Sequence, residues 1–300
     1  MSILIFGGTG QIGHELVREL ARVDDVVAPT RDEVDLTSPE AIRIAVDHFA
    51  PAVVINAAGY TAVDSAELDE PACVVLNAEA PGILAKACRR QGACLIHFST
   101  DYVFDGAKTA PYLESDATGP LNVYGKTKLD GERAIEAVGG AYLIFRTSWV
   151  YAARGRNFPL TMLRLARERT ELVVVDDQLG APTSARAIAS AVVDVLDGLA
   201  NGGALRDAAE SAAGIYHLSA TGQTTWYGFA RAILTDAPWP EQQVCQNLRA
   251  ITTAEYPTTA RRPRYSVLDN SKVRERFGVD LPPWDEQWQA VSAELRLKGS

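Results

Sequence analysis

Ile3-Leu4-Ile5-Phe6-Gly7-Gly8-Thr9-Gly10-Gln11-Ile12-Gly13 carries a short apolar strand through a glycine-rich turn into a segment of helical periodicity ending near Ala21. Glycines at such a junction permit a tight turn and let backbone N–H groups approach an anion at the positive end of the helix. Strand, turn and helix in that order form a pyrophosphate cradle, so Gly7, Gly10, Gln11, Ile12 and Gly13 are candidate dinucleotide-binding residues. Outward from this stretch the alternation continues. Apolar runs at 26–28, 52–56, 94–99 and 142–146 are separated by helical segments opened by Ser38-Pro39-Glu40, spanning about 77–90, and following Tyr124. Strands and helices in alternation predict an α/β fold, a Rossmann-type doubly wound parallel sheet with right-handed crossovers.

Beyond Trp149 the rhythm loosens. Helices are expected at 158–169, 185–196 and 227–234, strands at 172–175 and 215–218, and a loop at Asn201-Gly202-Gly203. The expected division is a nucleotide-binding domain of residues 1–149 with returning segments at about 172–198 and 246–270. A smaller α/β substrate-binding domain takes about 150–171, 199–245 and 271–300. At the end of the second strand, where many NAD enzymes carry an acidic residue on the ribose 2′-hydroxyl, stand Thr30 and Arg31. A guanidinium there suits a 2′-phosphate, which predicts NADPH, with NADH kept open by Asp32.

The 300 residues are 47% hydrophobic, enough for a sizeable core. A net charge of −9 argues against nucleic acid or an anionic membrane as partner. Cys73, Cys88, Cys94 and Cys245 form no CxxC pair, so neither a metal site nor a disulfide framework is expected, only reduced buried thiols. The chain enters its first strand without a basic leader and has no apolar run near ~20 residues, from which a cytoplasmic protein is expected.

Tyr124-Gly125-Lys126-Thr127-Lys128 holds a Tyr-x3-Lys pair at the start of a helix, with Tyr124 and Lys128 on one face. An ammonium at ~4 Å in an effective dielectric near 20 favours phenolate by about 4 kcal/mol, which predicts a lowered phenol pKa and a proton shuttle near neutral pH. Thr100 closes a buried strand at its carboxyl end, where ligands of open α/β sheets bind, and is placed to donate to a substrate carbonyl.

With these motifs stand Asn56-Ala57-Ala58-Gly59-Tyr60-Thr61-Ala62-Val63-Asp64, Ser99-Thr100-Asp101-Tyr102-Val103-Phe104, the block from Pro120 to Lys128, Arg146-Thr147-Ser148-Trp149-Val150-Tyr151, Asp177-Gln178-Leu179-Gly180-Ala181-Pro182-Thr183 and Arg262-Pro263. Over nearly its whole length the chain resembles the dTDP-4-dehydrorhamnose reductases, extended short-chain dehydrogenases/reductases. The resemblance implies reduction of the C4 keto group of a dTDP-4-dehydro-6-deoxysugar. Tyr124 would donate the proton, Lys128 would lower its pKa and bind the nicotinamide ribose, and Thr100 would orient the keto oxygen. Asp101, Tyr102, Trp149 and Arg262 fall at substrate positions, and Asp35, Leu36, Ala57, Ala58, Gly59, Tyr60 and Thr61 at cofactor positions. Some relatives hold magnesium at a dimer interface through three glutamates. Here Glu15 and Glu294 match two, and Arg186 stands at the third, so a monomer or a metal-independent homodimer is expected. Two alternatives stay open: a nucleotide-sugar reductase or epimerase of other C4 stereochemistry, and a non-catalytic cofactor-binding subunit resembling the regulator of methionine adenosyltransferase.

Overall fold

Alternation along the first strand sets the layers. In β1 (Ser2–Phe6) successive side chains point to opposite faces. Ile3 and Ile5 join Leu16 of the helix α1 (Gln11–Leu20) and Ile188, Val192 and Val195 of the helix Ala185–Asn201. Leu4 and Phe6 turn the other way, onto Ile42 and Val46 of the helix Pro39–Phe49 and Leu84 and Cys88 of the helix Ala80–Gln91. A sheet covered on both faces needs strands apolar on both faces, and β1 is so from Ile3 onward. With β2 (Asp25–Val27), β3 (Val53–Asn56), β4 (Cys94–Thr100), β5 (Tyr142–Thr147) and the strand Gly214–His217 it forms a six-stranded parallel sheet. The strand order is Gly214–His217, β5, β4, β3, β1, β2. The chain leaves β1 in one direction for β2 and crosses back for β3, so a crevice opens beyond the carboxyl ends of β1 and β3.

This computed structural model describes residues 1–22, 25–201 and 204–298. The helix Val123–Val138 is started by Asn122, whose side-chain oxygen accepts from Gly125 N at 2.8 Å. Such a cap satisfies an otherwise orphan N–H and fixes where the first turn begins. Behind that helix, Glu132 receives both Nε (2.9 Å) and Nη2 (2.7 Å) of Arg146 on β5. Both side chains are buried, and the Arg146 guanidinium lies 5.1 Å above the Phe104 ring.

A smaller layer gathers around Tyr151, Met162, Leu163, Phe229, Ile233 and Trp288. It contains the helices Phe158–Glu168, Trp226–Thr235 and Trp284–Lys298. Two segments sit differently from the expected division. Gly214–His217, assigned to the smaller part, is the edge strand of the large sheet. Glu171–Val175, assigned to the large one, instead pairs in parallel with Asn247–Ile251, and Val174 and Leu248 pack in the smaller layer. Strands this short fit either sheet edge, and the edge is chosen by helices distant in sequence. The helix expected at 77–90 begins at Ala80 and is preceded by a π-helical turn, Val75–Glu79. Asn201 ends a helix instead of opening a loop, and Gly202 and Gly203 lie outside the described residues. Cys73, Cys88 and Cys94 are buried free thiols, whereas Cys245 is only half-buried. No single described helix is long and apolar enough to cross a membrane.

Candidate active site

The crevice is a cavity of about 770 Å³, within the size range of small-molecule sites. At its base Gly7 has φ +81°, and a Cβ there would stand 2.6 Å from Ala58 N and 2.7 Å from Ala57 C. Only glycine lets the two strand ends approach so closely. Gly10 N donates to Gly7 O at 2.9 Å, closing the turn whose next residues, Gln11 and Ile12, start α1. The unpaired N–H groups of that first turn attract an anion.

Gly7, Gly10, Gln11, Ile12, Arg31, Asp35, Leu36, Ala57, Ala58, Gly59, Thr61, Thr100, Asp101, Tyr102, Tyr124, Lys128 and Trp149 all line the cavity. Four expected residues do not. Gly13 packs against Gly7, and Thr30 bonds the Glu33 carboxylate through N (2.7 Å) and Oγ1 (2.9 Å). Tyr60 is held by its backbone, N donating to Asn77 Oδ1 at 2.8 Å and O accepting from Asn77 Nδ2 at 3.0 Å. Arg262, expected at the substrate, is instead bidentate on Asp64, at 3.2 and 2.6 Å, and this pairing holds the carboxyl below the usual range. A guanidinium already matched to a carboxylate has little left to offer a diphosphate.

The side chains at the end of β4 are buried and mutually bonded. Thr100 Oγ1 donates to Asp101 Oδ1 at 3.1 Å and accepts from Tyr102 N at 3.1 Å. Ser148 Oγ donates to Asp101 Oδ2 at 3.0 Å. Burial pushes the Asp101 carboxyl up to about 6, opposed by these hydroxyls. Burial likewise pushes the Tyr124 phenol up to about 12, with Thr100 opposing and Asp101 adding, and pushes Lys128 down to about 8 against the Glu132 carboxylate. Desolvation thus disfavours the charged form of both groups and acts against the lowering of the Tyr124 pKa expected from Lys128. Lys128 Nζ donates to Phe98 O at 2.5 Å and lies 3.2 Å from His97 Nε2.

Trp149 has φ +47°, a left-handed backbone that costs an aromatic residue on the order of 1 kcal/mol. Its indole is stacked on Trp226 at 3.6 Å and 5°. A Cβ on Gly180 would meet the same ring at 2.4 to 2.7 Å, so the ring is wedged between backbone and a second indole. The Trp226 Nε1 donates to Gln178 Oε1 at 3.2 Å, which anchors the stack. The motifs had not pointed to Trp226, Asn77, Arg154 or Arg156, all of which line the cavity. Only Arg154-Gly155-Arg156, two cations around a glycine after a strand, carried a signal.

At the position of the missing glutamate, Arg186 pairs with Glu294, which also receives Lys298 at 2.6 Å, and Glu15 pairs with Arg18 at 2.6 Å.

The family model described as the RmlD substrate binding domain matches residues 1–297. A dTDP-4-dehydrorhamnose reductase of Burkholderia thailandensis is 49% identical over 289 residues, covering 95% of each chain. The crystal structure of such a reductase from Clostridium acetobutylicum superposes with a TM-score of 0.89 at 36% identity, covering 99% of this chain and 100% of that one. The Bacillus anthracis enzyme, solved in complex with NADP, gives 0.88 at 32% identity over 98% and 99%. The cavity, its residues and these likenesses over the full length agree, and the chain belongs to the dTDP-4-dehydrorhamnose reductase family.

Proposed function

We propose that this protein reduces the C4 keto group of dTDP-4-dehydro-L-rhamnose with NADPH, giving dTDP-L-rhamnose for cell-surface polysaccharide synthesis in the cytoplasm. The observation that carries the reading is the meeting, in one cavity, of the glycine turn with Thr100, Tyr124 and Lys128. The residues present fit the cofactor. Gly7, Gly10, Gln11 and Ile12 offer the backbone cradle for a pyrophosphate, and Arg31 supplies the cation for a 2′-phosphate. Asp35, Leu36, Ala57, Ala58, Gly59 and Thr61 form the adenosine-side wall, with Tyr60 held behind it. Bound NADPH supplies a hydride.

Within the same reading, Thr100 orients the keto oxygen and Tyr124 delivers its proton to the alkoxide as that charge develops. A phenol kept protonated by burial suits a donor. Lys128 holds the nicotinamide ribose, Asp101 and Tyr102 contact the sugar, and Trp149 limits its deoxy face. Arg154, whose Nη1 is buried without a partner, and Arg156 take the substrate diphosphate role first expected of Arg262. Domain roles follow the sheet: the six-stranded part with its helices binds the nucleotide cofactor, and the smaller layer closes over the sugar.

Incubation with enzymatically prepared dTDP-4-dehydrorhamnose, following NADPH and NADH separately and identifying the product by NMR, tests the reading. NADPH is expected to be preferred, with the preference shrinking in Arg31→Ala. Saturable cofactor binding without oxidation would leave only a binding protein, and a C4 epimeric product would make it a different sugar reductase.

Glu15 and Glu294 already have cationic partners, so no divalent metal is needed. Activity is expected to be insensitive to EDTA, with the protein monomeric or dimeric independently of magnesium. Magnesium-dependent association in sedimentation velocity, or loss of rate on chelation, overturns this.

A further inference from the structure

Tyr124 stands in the first turn of the helix Val123–Val138, and the first turn of a helix is prone to fray because its N–H groups have no partner within the helix. The residues of that turn do little to hold it. Val123 is β-branched, Gly125 is a poor helix former, and the turn contains no acidic residue of its own. Gly125 occupies the place where a capping box carries a glutamate, and it has to be glycine, since a Cβ there would collide with Tyr102 O. The close approach that brings this helix onto the Thr100–Tyr102 corner thus removes the side chain that would otherwise fasten its start. The carboxylate comes from elsewhere in the chain. Glu67 Oε1, 56 residues earlier, accepts from Val123 N at 2.7 Å, beside the Asn122 cap on Gly125 N.

We propose that Glu67 is a positioning residue for Tyr124: its carboxylate on Val123 N fixes the first turn of the helix against the cofactor wall and so sets where the phenol stands. A carboxylate suits the place twice, as an acceptor for an orphan N–H and as a negative charge at the positive end of a helix. Glu67 ends the short helix Val63–Ala66, which leads directly out of the cavity wall made by Gly59, Thr61 and Val63. That short helix is itself held. Asp64 accepts from Ala260 N at 3.0 Å and from Arg262, while Asn122 Nδ2 donates to Arg261 O at 2.8 Å. Glu67, through its helix, and Asn122 are thereby tied to one segment, residues 260–262. The pair of Lys126 and Glu70 does not replace them, because both side chains are exposed and such pairs contribute little. Lys128, one turn further on, is buried and bonded to Phe98 O, so it stays in place when the first turn loosens. Proton transfer to an alkoxide needs hydrogen-bond distance, and a misplacement of about 1 Å costs up to ~10²-fold in rate. The effect on rate rests on the reductase reading, whereas the fastening of the turn does not.

Glu67→Ala and Glu67→Gln test it, the glutamine keeping an acceptor for Val123 N. Glu67→Ala is expected to lower kcat about tenfold while leaving KM for the keto sugar and Kd for NADPH within about twofold. Glu67→Gln is expected to recover kcat to within about twofold of the wild type. Because Tyr124→Phe already lacks the proton donor, adding Glu67→Ala to it is expected to change kcat by less than about twofold. Hydrogen exchange of the Val123 amide, read by NMR, is expected to be slow in the wild type and in Glu67→Gln and about tenfold faster in Glu67→Ala. A Val123 amide that exchanges equally in all three proteins, an alanine variant with wild-type kcat, no recovery in Glu67→Gln, or a full alanine effect on the Tyr124→Phe background overturns the proposal. A chain that reduces no keto sugar would overturn the functional reading instead, and the Val123 amide, read without turnover, still decides whether Glu67 fastens the turn.

Discussion

Tyr124→Phe is expected to lower kcat by a factor on the order of 10² to 10⁴ while leaving the Kd for reduced cofactor within about twofold. The change removes one oxygen from a half-buried ring that packs edge-on against Tyr102, with centroids 5.9 Å apart at 76°, so the wall of the cavity keeps its shape. What is lost is the proton for the alkoxide. Thr100 does not replace it, because a threonine hydroxyl is far too weak an acid. Stopped-flow turnover together with a fluorescence titration of the cofactor separates the two effects. Near-native turnover in a folded variant would remove Tyr124 from the chemistry.

The largest stability effect is expected at Glu132. Glu132→Ala strands the Arg146 guanidinium in the interior, where Nη1 already lacks a partner. Breaking a buried pair from one side costs about 3 to 5 kcal/mol, because the surviving charge keeps its desolvation penalty. For a chain of this size that corresponds to a loss of roughly 10 °C in Tm. Replacing both partners by apolar residues of similar volume, Glu132→Leu with Arg146→Met, is expected to restore most of it. A double variant no more stable than Glu132→Ala would show that the pair's net attraction, and not the orphaned charge, carries the effect. Thermal unfolding of the three proteins decides between them.

Much of this was legible in the chain. The strand, glycine turn and helix from Ile3 onward specified the sheet and its crevice because periodicity and turn chemistry are local. Tyr124 and Lys128 were legible because four residues of helix bring them to one face. Arg262 was misread because a free guanidinium and one paired with Asp64, nearly two hundred positions away, look identical in sequence. The same blindness hid Trp226 and Asn77, each brought to the cavity by packing: Trp226 through the stack on Trp149, Asn77 through a π-helical turn. The pKa reasoning was incomplete for a related reason. It counted the attraction between lysine and phenol, which spacing reveals, and undercounted burial, which depends on the whole fold.

The indole pair of Trp149 and Trp226 also has an optical consequence. Two indoles stacked face to face at van der Waals distance couple electronically, so these chromophores absorb and emit as a pair, and their fixed asymmetric surroundings give a near-ultraviolet circular dichroism signal. Their place in the cavity wall ties that signal to occupancy. A sugar entering beside Trp149 is expected to change the overlap of the rings, and a near-ultraviolet circular dichroism titration with substrate in the absence of nicotinamide is the measurement that checks it.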